Sequence, residues 1–179
     1  MRISKLEAAR QQLDTAIWLY FNRDAPVSVH TLTAAAYEVI RGVNQNANGP
    51  PMIVKDCFAE VMKPEHQKMF YIKVNEAANF FKHADRDASN NIEFEPRQTE
   101  FLLIDAVCQY SLLARAYTNR FWLFYVWYAF DNPHLCSLTE EQKRTFPVNA
   151  DFVKGMTRFD YYSLVLPMIE AKTLNDGRT

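Results

Sequence analysis

Apolar residues recur along this chain at the three- and four-residue spacing that gathers them on one face of a helix. Over residues 4–22, Leu6, Leu13, Ile17 and Tyr20 share a side, Glu7, Arg10, Gln11 and Asp14 lie outside it, and Ser4 is placed to cap the first turn. Asp24-Ala-Pro-Val-Ser28 interrupts the pattern, because Pro26 lacks a donor and restricts Ala25; Ser28 can then cap a second helix reaching about Val43. Val29, Leu32, Ala36, Val39 and Val43 are its expected inward residues, leaving His30, Tyr37 and Arg41 as a polar and aromatic stripe on the far side. Asn44 to Pro51 reads as a loop, followed by a short helix reaching Lys63 with Val54, Cys57, Phe58 and Val61 toward the core.

Pro64 begins the helix that leads to His83. Phe70, Val74, Ala77, Phe81 and Ala84 form its apolar stripe, and Ile72, Asn75, Glu76, Asn79 and His83 occupy the opposite side. From Gln98 to Asp131 a continuous stripe, including Leu103, Val107, Tyr110, Tyr117, Phe121, Phe124 and Tyr128, predicts one central helix of about 50 Å, straight or kinked, with the Val74–His83 helix against it. Asp105 stands among apolar neighbours there and needs a partner, for which Arg115 is the candidate. Phe121 to Phe130 carries apolar residues on every side, so a second surface must cover part of it. A capping-box pattern at Ser137–Glu140 predicts a short helix ending before Pro147, and a last helix, about Phe159 to Thr173, is expected to bend at Pro167. The pattern as a whole predicts an all-α helical bundle of about six or seven helices with a long central helix near 98–131. Residues 1–174 form one domain in this reading and 175–179 a disordered tail.

Composition narrows the function classes. Four Gly, eight Pro and 14% aromatic residues in 179 favour helices over a sandwich or barrel. A net charge of −1 excludes the broad positive field of a non-specific nucleic-acid binder, so any RNA contact would be local. Cys57, Cys108 and Cys136 have neither the number nor the spacing of a disulfide framework or zinc knuckle and are expected to be reduced and buried. The longest apolar run has ten residues where a bilayer span needs about 20, so no membrane partner is expected. The amphipathic, charged N-terminus has no apolar signal core, which predicts a cytoplasmic location.

Candidate chemistry is confined to one region. Asp85, Asp87, Ser89 and Asn91 fall at alternate positions of a calcium-loop pattern, but Pro96 stands where the bidentate Glu should close it; no metal is expected. No phosphate-cradling glycine loop or nucleophile elbow is present, and no cofactor is implied. Glu76 and His83, two helical turns apart, could couple a carboxylate to an imidazole. Asn79-Phe-Phe-Lys-His83 resembles the second half of the Arg-polar-(three or four residues)-His signature of HEPN-type helical domains, in which that Arg and His line a cleft between two subunits and many members cleave RNA.

The resemblance implies that Asn79 is the polar residue and His83 the catalytic or RNA-facing one; Glu76, on the same helix face, is the third candidate catalytic residue. The resemblance also implies a homodimer. Ala78 stands at the Arg position, so a cation for phosphoryl chemistry would have to come from Lys82, Arg86 or Arg41. His30, Tyr37, Arg41, Lys82, Asp85, Arg86 and Asp87 are the candidate binding residues. A dimeric HEPN-like interaction or regulatory module, paired through the non-core faces of the His30–Arg41 and Ile72–His83 helices, ranks above metal-independent RNA cleavage or RNA binding through His83. A protein partner other than a second copy is the remaining option for these faces.

Overall fold

Ser4 starts the first helix, its Oγ accepting the Glu7 N–H at 3.1 Å. The computed structural model describes residues 1–83, 89–136, 138–140 and 150–175. Its helices are α1 (Lys5–Asn22), α2 (Pro26–Asn46), α3 (Phe58–Val61), α4 (Pro64–Lys82), α5 (Arg97–Ala114), α6 (Asn119–Asp131), α7 (Ala150–Val153) and α8 (Arg158–Asn175), with a π-helical turn at Ile53–Cys57. No strand occurs among the described residues, and the architecture is an all-α bundle. Ser137 and residues 141–149, over which the short capped helix is expected, and 176–179 of the expected tail lie outside the described residues.

Helix α2 is the hub. It lies along α1 on one side and along α5 and α4 on the other, while α6 and α8 close over α1. Burial of Leu13, Ile17, Tyr37, Ile40, Leu103, Val107, Phe121 and Phe124 accounts for much of the cohesion, at roughly 1.5–3 kcal/mol for each side chain removed from water. Phe21 sits at the aromatic centre, stacked on Tyr161 with centroids 5.8 Å apart and edge-on to Phe124 at 6.4 Å and Trp127 at 5.8 Å. Every residue from Phe121 to Phe130 is buried or half-buried, the second cover coming from α8.

Several local expectations are corrected. The single helix over 98–131 is two, because Arg115 adopts the left-handed conformation (φ 52°, ψ 31°) and Thr118 starts α6, accepting the Phe121 N–H at 3.1 Å and donating to Asp14 at 3.0 Å. Helix α2 begins at Pro26 rather than after Ser28, since a proline in the first turn gives up only a donor that has no helical acceptor. The π turn adds a residue to its helical repeat and rotates the segment beyond it: Met52, Lys55 and Ala59 are buried, and Phe58 and Val61 are 50% and 81% exposed. Helix α4 has α2 as its main neighbour, with Ala77 and Ala78 buried and Phe70, Val74 and Phe81 half-buried. Ala84 lies outside the described residues, and α8 continues through Pro167 to Asn175. The three cysteines are free and half-buried rather than fully buried.

Arg115 stores the local cost of breaking the 98–131 segment, since a left-handed residue other than glycine costs about 1–2 kcal/mol. Arg115→Gly is expected to raise the stability measured by urea unfolding by up to about 1 kcal/mol, and Arg115→Val to lower it by at least as much. The opposite order would show that the helix break has another origin.

Candidate functional site

Asp105, on α5, is only 5% exposed and is satisfied by neighbours in space. Its carboxylate accepts the Tyr37 hydroxyl at 2.7 Å, the Val54 N–H at 2.9 Å and the Ile53 N–H at 3.2 Å. The expected partner, Arg115, is replaced by a phenol and by the free backbone donors at the start of the π turn, as at a helix cap. The Tyr37 oxygen in turn accepts the Lys55 N–H at 3.2 Å. Burial, reinforced by the adjacent Asp105 charge, pushes the Tyr37 phenol far above its ordinary pKa, so it stays a donor.

Lys55 is carried inward by the same turn. Its ammonium reaches Glu38, the Asn75 carbonyl oxygen at 2.5 Å and the face of Tyr37, 5.4 Å from the ring centroid. Tyr71 donates to the Lys55 carbonyl at 2.9 Å, and Arg41 is paired with Asp56 at 2.7 Å. These contacts tie the π turn to α2, α4 and α5, and Asn75 is where they meet the outer face of α4.

That face lines an open groove of about 990 Å³. Lys68, Tyr71, Ile72, Asn75, Glu76, Asn79, Phe80 and His83 contribute from α4 and its C-cap, and Asn90, Asn91 and Ile92 close the rim. The structure therefore brings Glu76, Asn79 and His83 to one surface. His83 ends the helix in an extended conformation (φ −128°, ψ 132°), its N–H on the Asn79 carbonyl at 3.1 Å. Glu76 is held by Lys73, at 2.9 and 3.0 Å, instead of by His83. Ala78, at the Arg position of the HEPN signature, is 6% exposed and turned into the bundle.

The far side of α2 is not a surface. His30 is 1% exposed and Tyr37 fully buried, because α4 and α5 cover the side opposite α1; Arg41 is half-buried against Asp56. His30 Nδ1 meets Thr99 Oγ1 at 2.9 Å, and its ring stands edge-on to Phe94 at 5.1 Å and Phe81 at 5.8 Å. Burial, with smaller contributions from Lys55 and Lys82, lowers its pKa to about 4.

Lys82 is exposed at the end of α4, while Asp85, Arg86 and Asp87 lie outside the described residues. Ser89 and Asn91 are exposed, and among the described residues no three His, Cys, Asp or Glu side chains gather as a metal-ligand group. No described helix is long and apolar enough to cross a membrane. Sequence reasoning missed Lys55, Glu38 and Asn75 as a cluster, since a lysine in Ile-Val-Lys-Asp-Cys gives no signal of burial until the π turn is known. No protein-family model matches the chain, nor does any curated protein or solved structure.

The buried groups make two stability predictions. Asp105→Ala strands one phenol and two backbone donors and is expected to cost at least about 3 kcal/mol in denaturant unfolding; a loss under 1 kcal/mol would mean that the cap is dispensable. His30 is neutral in the fold and protonates more readily in the unfolded chain. Its contribution is complete above about pH 6.5 and is lost, to the extent of about 3 kcal/mol, as the pH falls to about 4. Unfolding curves of wild type and His30→Phe between pH 7 and pH 4 check this: their difference should change by that amount, and parallel curves would contradict it.

Proposed function

We propose that the chain is a non-catalytic interaction module of HEPN-like kind that pairs with a second copy through the outer face of α4. The observation that carries this reading is the self-complementarity of that face. Lys68 and Glu76 stand four residues either side of Ile72, all three line the groove, and Ile72 is 49% exposed. In an antiparallel pairing with its two-fold axis at Ile72, Lys68 of each copy faces Glu76 of the other. The isoleucines meet at the axis, exposed Met69 lies one turn earlier, and exposed Asn79 supplies hydrogen-bonding groups beside them.

Catalysis is disfavoured by the absence of the signature's arginine. RNA cleavage by His83 would need a positive charge beside the developing phosphorane. Arg41 is committed to Asp56, and the signature's Arg position is occupied by buried Ala78. RNA binding in the groove is the second reading, favoured by the shared exposure of Asn79 and His83.

Light scattering at micromolar concentration should give twice the chain mass. Lys68→Glu and Glu76→Lys should each weaken self-association at least about tenfold by placing like charges opposite one another, and the double exchange should restore it. A wild-type monomer, or single variants that dimerise as wild type does, would refute the pairing. In a metal-free RNA cleavage assay, wild type and His83→Ala are expected to be equally inactive; cleavage lost only in the variant would replace this reading with the catalytic one.

A further inference from the structure

Away from the α4 groove, a cavity of about 220 Å³ opens where α2, α5 and α8 begin. This is below the roughly 300–1,000 Å³ typical of sites for drug-sized ligands and suits a small ion or headgroup. Three arginines line it: Arg23, Arg97 and Arg158. We infer that it binds a small phosphate-bearing anion, held by these guanidinium groups.

Charge and geometry at the cavity support this. Glu100, buried in the wall, accepts the Tyr20 hydroxyl at 3.0 Å and Arg158 Nη2 at 3.1 Å. The Arg158 guanidinium lies 3.9 Å from the Tyr20 ring centroid, so this pair is internally neutral and fixes the back of the cavity. One of the five N–H donors of Arg158 serves Glu100, leaving others for a ligand. At the mouth, Arg97 makes no ion pair among the described residues. Arg23 is braced beside it by the Trp18 ring at 5.0 Å and the Asn22 carbonyl at 2.7 Å. Two carboxylates, Asp24 and Glu100, share the lining with the three arginines, so positive charge prevails there by one, and Glu95 Oε1 accepts the Arg97 backbone N–H at 3.1 Å. Planar guanidinium groups match the paired oxygens of phosphate. The start of α2 adds to the positive potential, having neither a side-chain cap nor an acid in its first turn.

The test is calorimetric titration of the whole chain with inorganic phosphate, a small phosphomonoester and acetate, at ionic strength held constant with chloride. Saturable binding of the two phosphates is expected, with acetate weaker. Both Arg97→Gln and Arg23→Gln should reduce phosphate affinity at least about tenfold, while Arg2→Gln, exposed beyond the opposite end of α1, leaves it unchanged. Because both arginines are exposed, circular dichroism of the variants should match wild type. Binding of the phosphomonoester alone would identify a phosphorylated small molecule, instead of free phosphate, as the source of the group. Absence of saturation above the chloride control by either phosphate, or unaltered affinity in both arginine variants, would overturn the inference.

Discussion

A carboxylate buried on α5 must find donors, and the way Asp105 finds them governs the region that carries the α4 groove. It takes one donor from α2, through Tyr37, and two from the backbone just after Met52. Those two amides open the π turn at Ile53–Cys57, which the carboxylate caps. The wider turn carries Lys55 inward, and a buried ammonium needs acceptors of its own, which Glu38 and Asn75 provide. Asn75 belongs to α4, so the need to satisfy one carboxylate propagates through a lysine to the helix whose outer face lines the groove. With Ala77 and Ala78 packed into the bundle, that outer face can only be the one bearing Lys68, Ile72, Glu76, Asn79 and His83.

The same constraint explains which features could be read from the chain. The Ser4 cap, the start of α4 at Pro64 and the outward side of α4 depend on neighbours within four residues, and simple periodicity gives them correctly. The break at Arg115 has no glycine or proline to announce it; a residue held left-handed by the start of the next helix reads as helix until Thr118 is seen capping α6 against Asp14. Phe58 and Val61 read as inward, although both are exposed, because a period of 3.6 does not hold across a π turn. His30 and Tyr37 look like a surface stripe because polar atoms on a helix usually seek water. Here Thr99 and Asp105, 69 and 68 residues further on, supply the partners instead.

The two sides of α4 differ in chemistry, and the proposed pairing rests on that difference. Its inner side buries Ala77 and Ala78 with Phe70, Val74 and Phe81 half-buried beside them, and Ala78 stands at the Arg position of the HEPN signature. Its outer side carries Lys68 and Glu76 four residues either side of Ile72, with exposed Lys73 paired to Glu76, and the proposed pairing uses the Lys68 and Glu76 charges across a two-fold axis. Three arginines, Arg23, Arg97 and Arg158, line the separate cavity at the start of α2, α5 and α8.

Antiparallel pairing about Ile72 is tested most directly by mixing two variants that should each be monomeric. In a mixture of the Lys68→Glu chain with the Glu76→Lys chain, both charged contacts of the antiparallel dimer become complementary again, but only between unlike chains. Native mass spectrometry at micromolar concentration should then show the mixed dimer and neither variant paired with itself. Absence of the mixed dimer, or equal amounts of all three dimers, would contradict the account.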